Sequence, residues 1–279
     1  MTSLAPTGCA WRKSLPLVLV CLMAAWAPTG GAAAREDAFR QGCQAYLSGD
    51  YPLAAASFQS LATRAPAAGT LHNLGNSLWN CRRTGEAVLS WERAHWLDPF
   101  SANTRANLRY ARKAAQIEAP ELAWYEVYSS ALPVDSWAWV AGVSFWLAAG
   151  LLLLPGIFSW RKADWHQACA AVGFAAFLLT IPALVGVHTR SQLGVVLPQQ
   201  AALRLTPTRE AQTITRLNGG EMARLERERG DYLYIRLGND TAGWIRRAEF
   251  GRICDRYSPP ITPPKNAPAS PTTGSVQEL

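Results

Sequence analysis

The sequence has few of the residues on which catalytic and metal centres depend. It contains four histidines among 279 residues, and none of its six cysteines lies in a C-x-x-C pair. It has no G-x-S-x-G elbow, no H-E-x-x-H pair and no phosphate loop ending in Gly-Lys-Ser/Thr. These absences argue against the hydrolase, zinc-protease and nucleotide-binding classes. We therefore predict a protein that is not an enzyme and holds no cofactor or metal ion.

Charged residues are also scarce, at 17% of the chain, with a net charge of +7. No Lys/Arg run is long enough for a nucleic-acid-binding arm, so we expect no nucleic-acid partner. Residues 136–160 and 165–188 contain no Asp, Glu, Lys or Arg. Each stretch exceeds the roughly 20 residues needed to cross a bilayer, and tryptophans lie near the ends. We predict a hairpin of two transmembrane helices in a lipid bilayer; the alternative is a buried hairpin of a soluble protein.

The two ends of the chain have distinct compositions. Residues 1–34 have a basic start, an apolar centre and a small-residue cleavage site near Ala34, as in a signal peptide. An uncleaved anchor is the alternative. The loop 161–164 carries Arg161 and Lys162, which favour the cytoplasm, so both flanking soluble parts should be extracytoplasmic. Residues 257–279 are rich in Pro, Thr and Ser and are predicted to be disordered.

Residues 35–118 contain a repeated pattern. Four residue pairs lie 33 positions apart: Gly42 and Gly75, Ala54 and Ala87, Phe58 and Trp91, and Pro66 and Pro99. This period is typical of the helix–turn–helix unit of tetratricopeptide repeats. Small residues would let the two helices of a unit cross closely, and the aromatic would fill the gap against the next unit. Two unrelated helical hairpins are the alternative.

The pattern stops after two units. A third unit would place Leu108 at the glycine position and Pro120 at the alanine position, so residues 101–118 are predicted to form one capping helix. Gly49 and Gly85 are predicted to lie in the turns inside the two units. This gives an all-α superhelix over 35–118, followed by a linker or interfacial segment over 119–135.

After the hairpin, in residues 190–254, apolar and polar residues alternate with a period of two. Short runs rich in branched and aromatic residues alternate with turn signals. In the clearest run, Leu233, Ile235 and Leu237 share one face, while Tyr232 and Tyr234 share the other. We predict a small all-β barrel, which makes the chain multidomain.

The end of this barrel carries Gly243, Trp244 and Ile245 after an aromatic strand and a tight hairpin. It resembles bacterial SH3-like (SH3b) domains, and the resemblance implies a binding surface at Tyr232, Tyr234 and Trp244. The whole layout, from about residue 38 to 253, resembles BatE-type proteins of bacterial aerotolerance operons. That resemblance implies a scaffold in the bacterial inner membrane, with both soluble domains periplasmic. It further implies partners among von Willebrand A-type membrane proteins and a MoxR-type ATPase system.

The first helix of each repeat should line a concave groove. Its inward register contains Phe39, Cys43 and Tyr46 in the first unit and His72, Asn76 and Trp79 in the second. The same register in the cap helix gives Arg105, Arg109 and Arg112, spaced i, i+4, i+7 on one face. We predict an aromatic and amide groove with a basic wall that grips an acidic segment of a membrane-protein partner. The alternative is that the arginines form a solvated face or contact anionic lipid headgroups.

These features predict a membrane-anchored extracytoplasmic adaptor that binds proteins through its repeats and its SH3b domain. One alternative is a cell-wall anchor whose barrel binds peptidoglycan. Another is an assembly factor for c-type cytochromes, which should carry cysteine or haem-handling motifs that this sequence does not have.

Overall fold

The computed structural model describes residues 30–117, 121–157 and 164–254. In this part the chain forms eight α-helices and then seven β-strands. The helices are α1 (Gly30–Leu47), α2 (Tyr51–Arg64), α3 (Ala68–Asn80), α4 (Thr84–Leu97), α5 (Ala102–Ala114), α6 (Trp124–Ser129), α7 (Val134–Ile157) and α8 (Asp164–Arg190). The strands are β1 (Leu193–Val196), β2 (Ala201–Arg204), β3 (Thr213–Leu217), β4 (Met222–Arg229), β5 (Tyr232–Leu237), β6 (Ala242–Arg246) and β7 (Phe250–Arg252).

Several predicted segments fall wholly or partly outside the described residues. The predicted tail 257–279 and the loop residues Arg161 and Lys162 lie outside them. Of the predicted signal peptide, only residues 30–34 are described, and they belong to α1. The predicted cleavage site at Ala34 therefore falls inside a helix.

Helices α1 to α4 form two consecutive hairpins, each held by an aromatic ring over a glycine. A Cβ added to Gly42 would lie 2.9 Å from the Phe58 ring, and one added to Gly75 would lie 2.5 Å from Trp91 Nε1. Both aromatic side chains are buried. Each aromatic thus packs on the glycine of its own unit. Phe58 also lines a cavity with Asn73 and Asn76 of the second unit, and that each aromatic fills the gap against the next unit stays a prediction. That the hairpins form a tetratricopeptide superhelix stays a prediction.

The two inter-helix turns differ from each other. Gly49 has a positive φ of 83° in the first turn, as its lack of a side chain permits. In the second turn the positive φ of 62° belongs to Arg82, while Gly85 lies inside α4. Gly85 is needed for another reason, because a Cβ there would collide with the backbone carbonyl oxygens of Val196 and Leu197.

Helices α7 and α8 pair as a hairpin, and both are long and apolar enough to cross a membrane over Val134–Leu153 and Trp165–Arg190. The short helix α6 lies against the end of α8, where Gly186 meets the carbonyl oxygen of Tyr125. Residues 121–133, predicted as a linker or interfacial segment, thus contain a helix that packs beside the hairpin.

The seven strands form one antiparallel sheet in the order β3-β2-β6-β5-β4-β1-β7. Leu233 and Ile235 are buried on one face, as the alternation predicted, while Tyr232 and Tyr234 are half-buried on the other. The antiparallel sheet was expected; its membership in the SH3b class stays a prediction.

Strand β1 is buried on both of its faces. Val196 packs in the core of the sheet with Leu203, Ile235 and Ile245. Leu193 and Val195 point the other way and join the core of the helical hairpins beside Val88 and Leu89. The helices and the sheet therefore share an apolar core and form one body, with α7 beginning and α8 ending beside it.

Candidate functional site

The first surface of interest runs along α1, α3 and α5. We call it the amide–aromatic face, and it consists of Tyr46, Asn76, Trp79, Asn107 and Tyr110. The Trp79 ring lies 5.8 Å from the Tyr110 ring and 5.7 Å from the buried Trp91 ring. Tyr110 is 63% exposed at the edge of this face. The arrangement offers flat aromatic surface of the kind that carries most energy in protein interfaces.

Asn76 is held at the centre of the amide–aromatic face by two donors. Its Oδ1 accepts hydrogen bonds from Trp91 Nε1 at 3.1 Å and from Asn107 Nδ2 at 2.8 Å. Its Nδ2 has no hydrogen-bond partner among the described residues, so it can donate to a carbonyl group of a ligand. A small apolar cavity of about 240 Å³ adjoins this position and is lined by Cys43, Tyr46, Leu47, Phe58, Asn73 and Asn76.

His72 belongs to the same helix but is engaged within the protein. Its Nδ1 lies 3.0 Å from the Thr104 hydroxyl, and Thr104 is buried. Burial lowers the pKa of His72, so the ring is neutral at neutral pH. This contact links α3 to α5, and that the half-buried His72 also faces a ligand stays a prediction.

The three arginines of α5 do not form a wall of this face. Helix α5 buries Thr104, Leu108 and Ala111 as its core stripe. At about 100° per residue, Asn107 and Tyr110 lie on one side of that stripe. Arg105, Arg109 and Arg112 lie on the other side and line a different cavity. The prediction of one groove containing all seven residues was therefore wrong, because the repeat register was extended into a helix that does not repeat it.

The second site is this other cavity, which we call the junction cavity. It has a volume of about 280 Å³ and lies where α4, α5, the sheet and the hairpin ends meet. Its lining consists of Glu92, His95, Trp96, Arg105, Leu108, Arg109, Arg112, Leu122, Ser130, Arg190, Leu193, Met222 and Ile253. The lining therefore combines basic and apolar side chains.

Within the junction cavity, Arg112 is already paired. Its Nη2 lies 2.5 Å from Glu92 Oε1 and 3.8 Å from the sulfur of Met222. Glu92 is buried, and burial raises the pKa of this carboxyl group while the charge and hydrogen bond of Arg112 oppose the rise. Arg112 is thus a link between α4, α5 and β4, whereas it was predicted to contact a partner.

Two other arginines of the junction cavity, Arg105 and Arg109, are more available than Arg112. Arg105 and Arg109 are exposed and form no ion pair with any residue in the described ranges. Arg190 lies over the Trp96 ring at 5.0 Å and donates to the Ser129 hydroxyl at 3.3 Å. His95 Nδ1 is buried without a hydrogen-bond partner among the described residues. Burial, and then the nearby arginine charges, lower the pKa of His95.

An ion pair between the buried Glu126 and the half-buried Arg224 joins α6 to the sheet beside the junction cavity. Arg224 Nη2 donates to Glu126 Oε1 at 2.8 Å, and Arg224 Nη1 donates to the Thr189 carbonyl at 2.9 Å. Glu126 Oε2 also accepts from the Ala123 N–H at 3.0 Å. Burial alone would raise the pKa of Glu126, but these hydrogen bonds and the Arg224 charge lower it below its ordinary value.

The third site is the outer face of the sheet. Tyr234 and Trp244 are directly opposite each other on β5 and β6, and their rings are 5.2 Å apart in an edge-to-face arrangement. Tyr232 pairs with Arg246 one step along the same two strands. The three predicted aromatic residues thus share one half-buried face.

Sequence reasoning missed Glu92, His95, Glu126, Arg190 and Arg224. A signal existed for Arg190, because it is the first charged residue after the long apolar run of α8. The two glutamates show no such local signal, since their partners are distant in sequence. Among the described residues, no group of three His, Cys, Asp or Glu side chains is placed to hold a metal ion.

Comparison of the chain with protein-family models, with curated proteins and with solved structures gives no match.

Proposed function

We propose that the protein is a membrane-anchored adaptor that binds a protein partner through the amide–aromatic face. The observation that carries the anchoring is the exposure of the hairpin: only 17% and 22% of its two apolar spans are buried. Trp139 and Trp146 are each 73% exposed on α7. A buried hairpin of a soluble protein would cover such side chains, whereas lipid would cover them here.

The core shared by the helical hairpins and the sheet is relevant to which side of the membrane each soluble part occupies. Because the helices and the sheet pack on each other through β1, a bilayer cannot pass between them. This packing supports the proposal that both soluble parts lie on one side of the membrane. Arg161 and Lys162 in the short loop favour the cytoplasm for the opposite end of the hairpin. The adaptor is thus extracytoplasmic, in the inner membrane of a bacterium by its resemblance to BatE-type proteins.

The chemistry of the amide–aromatic face indicates an extended, largely uncharged partner segment. Trp79 and Tyr110 offer apolar contact, and Asn76 Nδ2 offers a donor for a backbone carbonyl. The acidic segment expected from the sequence is less suitable, because the arginines lie on the other side of α5. By the same resemblance, von Willebrand A-type membrane proteins that act with a MoxR-type ATPase are the partner class to test.

Co-purification of the full chain from detergent-solubilised membranes tests this proposal. Tyr110→Ala should reduce recovery of a von Willebrand A-type partner at least several-fold, because truncation of an interface aromatic costs about 2 kcal/mol or more. Phe100→Ala is a matched control, since Phe100 is an aromatic of similar exposure, 61%, outside the face. Equal recovery with both variants would refute the use of this face.

A second candidate function is peptidoglycan binding at the outer face of the sheet. It is favoured by the paired rings of Tyr234 and Trp244, which leave aromatic surface accessible next to polar strands. The full chain should then co-sediment with insoluble peptidoglycan, and Trp244→Ala should abolish that co-sedimentation. Failure of the unaltered chain to co-sediment would remove this candidate and leave the adaptor proposal intact.

A further inference from the structure

The junction cavity carries more positive charge than its own carboxylate can neutralise. Four arginines line it, Arg105, Arg109, Arg112 and Arg190, against one glutamate, Glu92. Even with Glu92 ionised and paired to Arg112, an excess of three positive charges remains among these lining residues. Guanidinium groups bind phosphate oxygens in a fork geometry, so such a cluster is suited to an anion.

Two of the lining residues also have a buried polar atom without a hydrogen-bond partner among the described residues, His95 (Nδ1) and Arg112 (Nε). His95 Nδ1 is buried and has no hydrogen-bond partner within the described residues. In the tautomer that carries its proton on Nδ1, the ring can donate to an anionic oxygen. An unpaired buried polar atom is costly, and an acceptor in the cavity would remove that cost.

The position of the cavity suggests where the anion comes from. Arg190 is the last residue of the apolar helix α8, and Ser130 lies just before the start of α7. The cavity is therefore level with the end of the hairpin from which the soluble body extends. Next to it, Trp124 is 70% exposed and Leu122 is 37% exposed. Tryptophan is enriched at this depth, where lipid headgroups meet the hydrocarbon core.

We propose that the junction cavity binds the phosphate group of an anionic phospholipid, with Arg105, Arg109 and Arg190 as the principal donors. This inference rests on the proposed membrane anchoring. The phosphate would enter between α5 and the end of α8, while Leu122 and Trp124 would contact the start of the acyl chains. At about 30 Å³ per water molecule, the cavity has room for some nine waters, enough for a phosphate and a small headgroup.

The proposal can be tested on the full chain reconstituted in lipid nanodiscs. One set contains phosphatidylcholine only, and the other contains phosphatidylcholine with one-fifth phosphatidylglycerol. The readout is the ratio of the two lipids retained by the protein in native mass spectrometry. We expect phosphatidylglycerol to be enriched above its share in the disc by the unaltered chain.

The test variant is Arg105→Gln/Arg109→Gln, because both side chains are exposed and unpaired within the described structure. Each surface arginine contributes about 1 kcal/mol to attraction by an anionic lipid, so enrichment should fall about fivefold for each one removed. The control is Arg64→Gln/Lys113→Gln, which removes the same charge from exposed positions outside the cavity lining. Both proteins should retain the same melting temperature as the unaltered chain.

The outcomes separate the alternatives. Equal loss of enrichment in both double variants would mean general surface attraction and would overturn the site. No enrichment by the unaltered chain would also overturn it. If millimolar inorganic phosphate stabilises the protein in phosphatidylcholine discs, and phosphatidylglycerol is not enriched, the site takes a free anion and the lipid assignment is wrong. Failure to enter phosphatidylcholine discs at all would instead refute the membrane anchoring.

Discussion

The indole of Trp91 occupies the space that a side chain at Gly75 would need, since a Cβ there would lie 2.5–2.9 Å from three of its ring atoms. The same indole donates its Nε1–H to Asn76 Oδ1 at 3.1 Å and lies 3.2 Å from the His72 carbonyl. Trp91 is 2% exposed. One residue of α4 thus sets both the crossing of the helices and the orientation of an amide on the proposed binding face.

Gly75→Ala should destabilise the protein. The new Cβ would lie 2.5 Å from Nε1 of the buried Trp91, so the indole would have to shift within the core. Overpacking of this kind costs on the order of 1–3 kcal/mol. Gly69→Ala in the same helix is the control, because a Cβ there meets nothing within 4 Å. Thermal unfolding in detergent checks the difference, and equal melting temperatures for the two variants would contradict the packing described here.

Gly85→Ala should loosen the sheet from the helices. The added Cβ would collide with backbone oxygens of Val196 and Leu197, and backbone cannot rotate away as a side chain can. We expect a loss of about 1–3 kcal/mol in the free energy of unfolding. Hydrogen exchange should rise in β1 and β7 more than in α1 and α2. Uniform exchange rates in the variant would show that Gly85 does not control this contact.

The Glu126–Arg224 pair should make stability depend on pH. The pKa of Glu126 is lowered in the folded protein, so its contribution is complete above the ordinary pKa of about 4.3. That contribution is lost as the pH falls through the lower folded pKa. Glu126→Gln should therefore cost about 1.5–3 kcal/mol at pH 7, and the cost should diminish below about pH 4.

Melting temperatures of the unaltered chain and Glu126→Gln between pH 3 and pH 7 check this dependence. Glu226→Gln is the control, because Glu226 pairs with Arg236 on the surface, where such a pair contributes about 0–1 kcal/mol. A constant difference between the unaltered chain and Glu126→Gln across this range would be inconsistent with an ionised, paired Glu126.

Labelling of single cysteines should place both soluble parts on one side of the membrane. The positions Ser60→Cys and Asn239→Cys lie on exposed surfaces of the helices and of the sheet. In intact cells, with the six native cysteines replaced, both should react with an impermeant maleimide, and Ala163→Cys should not. The reason is the shared core together with the basic loop. Labelling of only one of the two soluble positions would disprove the topology.

Features that depend on local periodicity could be predicted from the sequence. The alternation over Leu233 and Ile235 gave the buried face of β5, and the glycine–aromatic spacing identified Gly75 and Trp91 as packing residues. The two runs without charged residues, 136–160 and 165–188, predicted the two apolar helices of the hairpin. The strand alternation and the apolar runs each lie within one element, and the glycine–aromatic spacing covers two consecutive helices.

Features that join distant parts of the chain could not be predicted in the same way. Glu126 and Arg224 are 98 residues apart, and nothing near either residue indicates the other. Gly85 was assigned to a turn because its true neighbour, the backbone at Leu197, lies beyond the hairpin. The prediction that Arg105 faces the repeat groove failed for a related reason. The buried stripe of α5 depends on α4 and the sheet, not on the preceding repeats.

The double burial of β1 has a consequence for how the chain reaches its native state. Arg93 of α4 donates to the carbonyl of Arg252, 159 residues later, after both apolar helices have been made. Strand β1 begins 104 residues after Leu89, so at synthesis rates of about 5–20 residues per second Leu89 and Val88 remain uncovered by it for roughly 5–20 s. Contacts between residues so distant in sequence form slowly. Until they form, the helices expose an apolar surface that can associate with other chains. The chain therefore has a period of vulnerability to aggregation and proteolysis that ends only after both apolar helices have been synthesised.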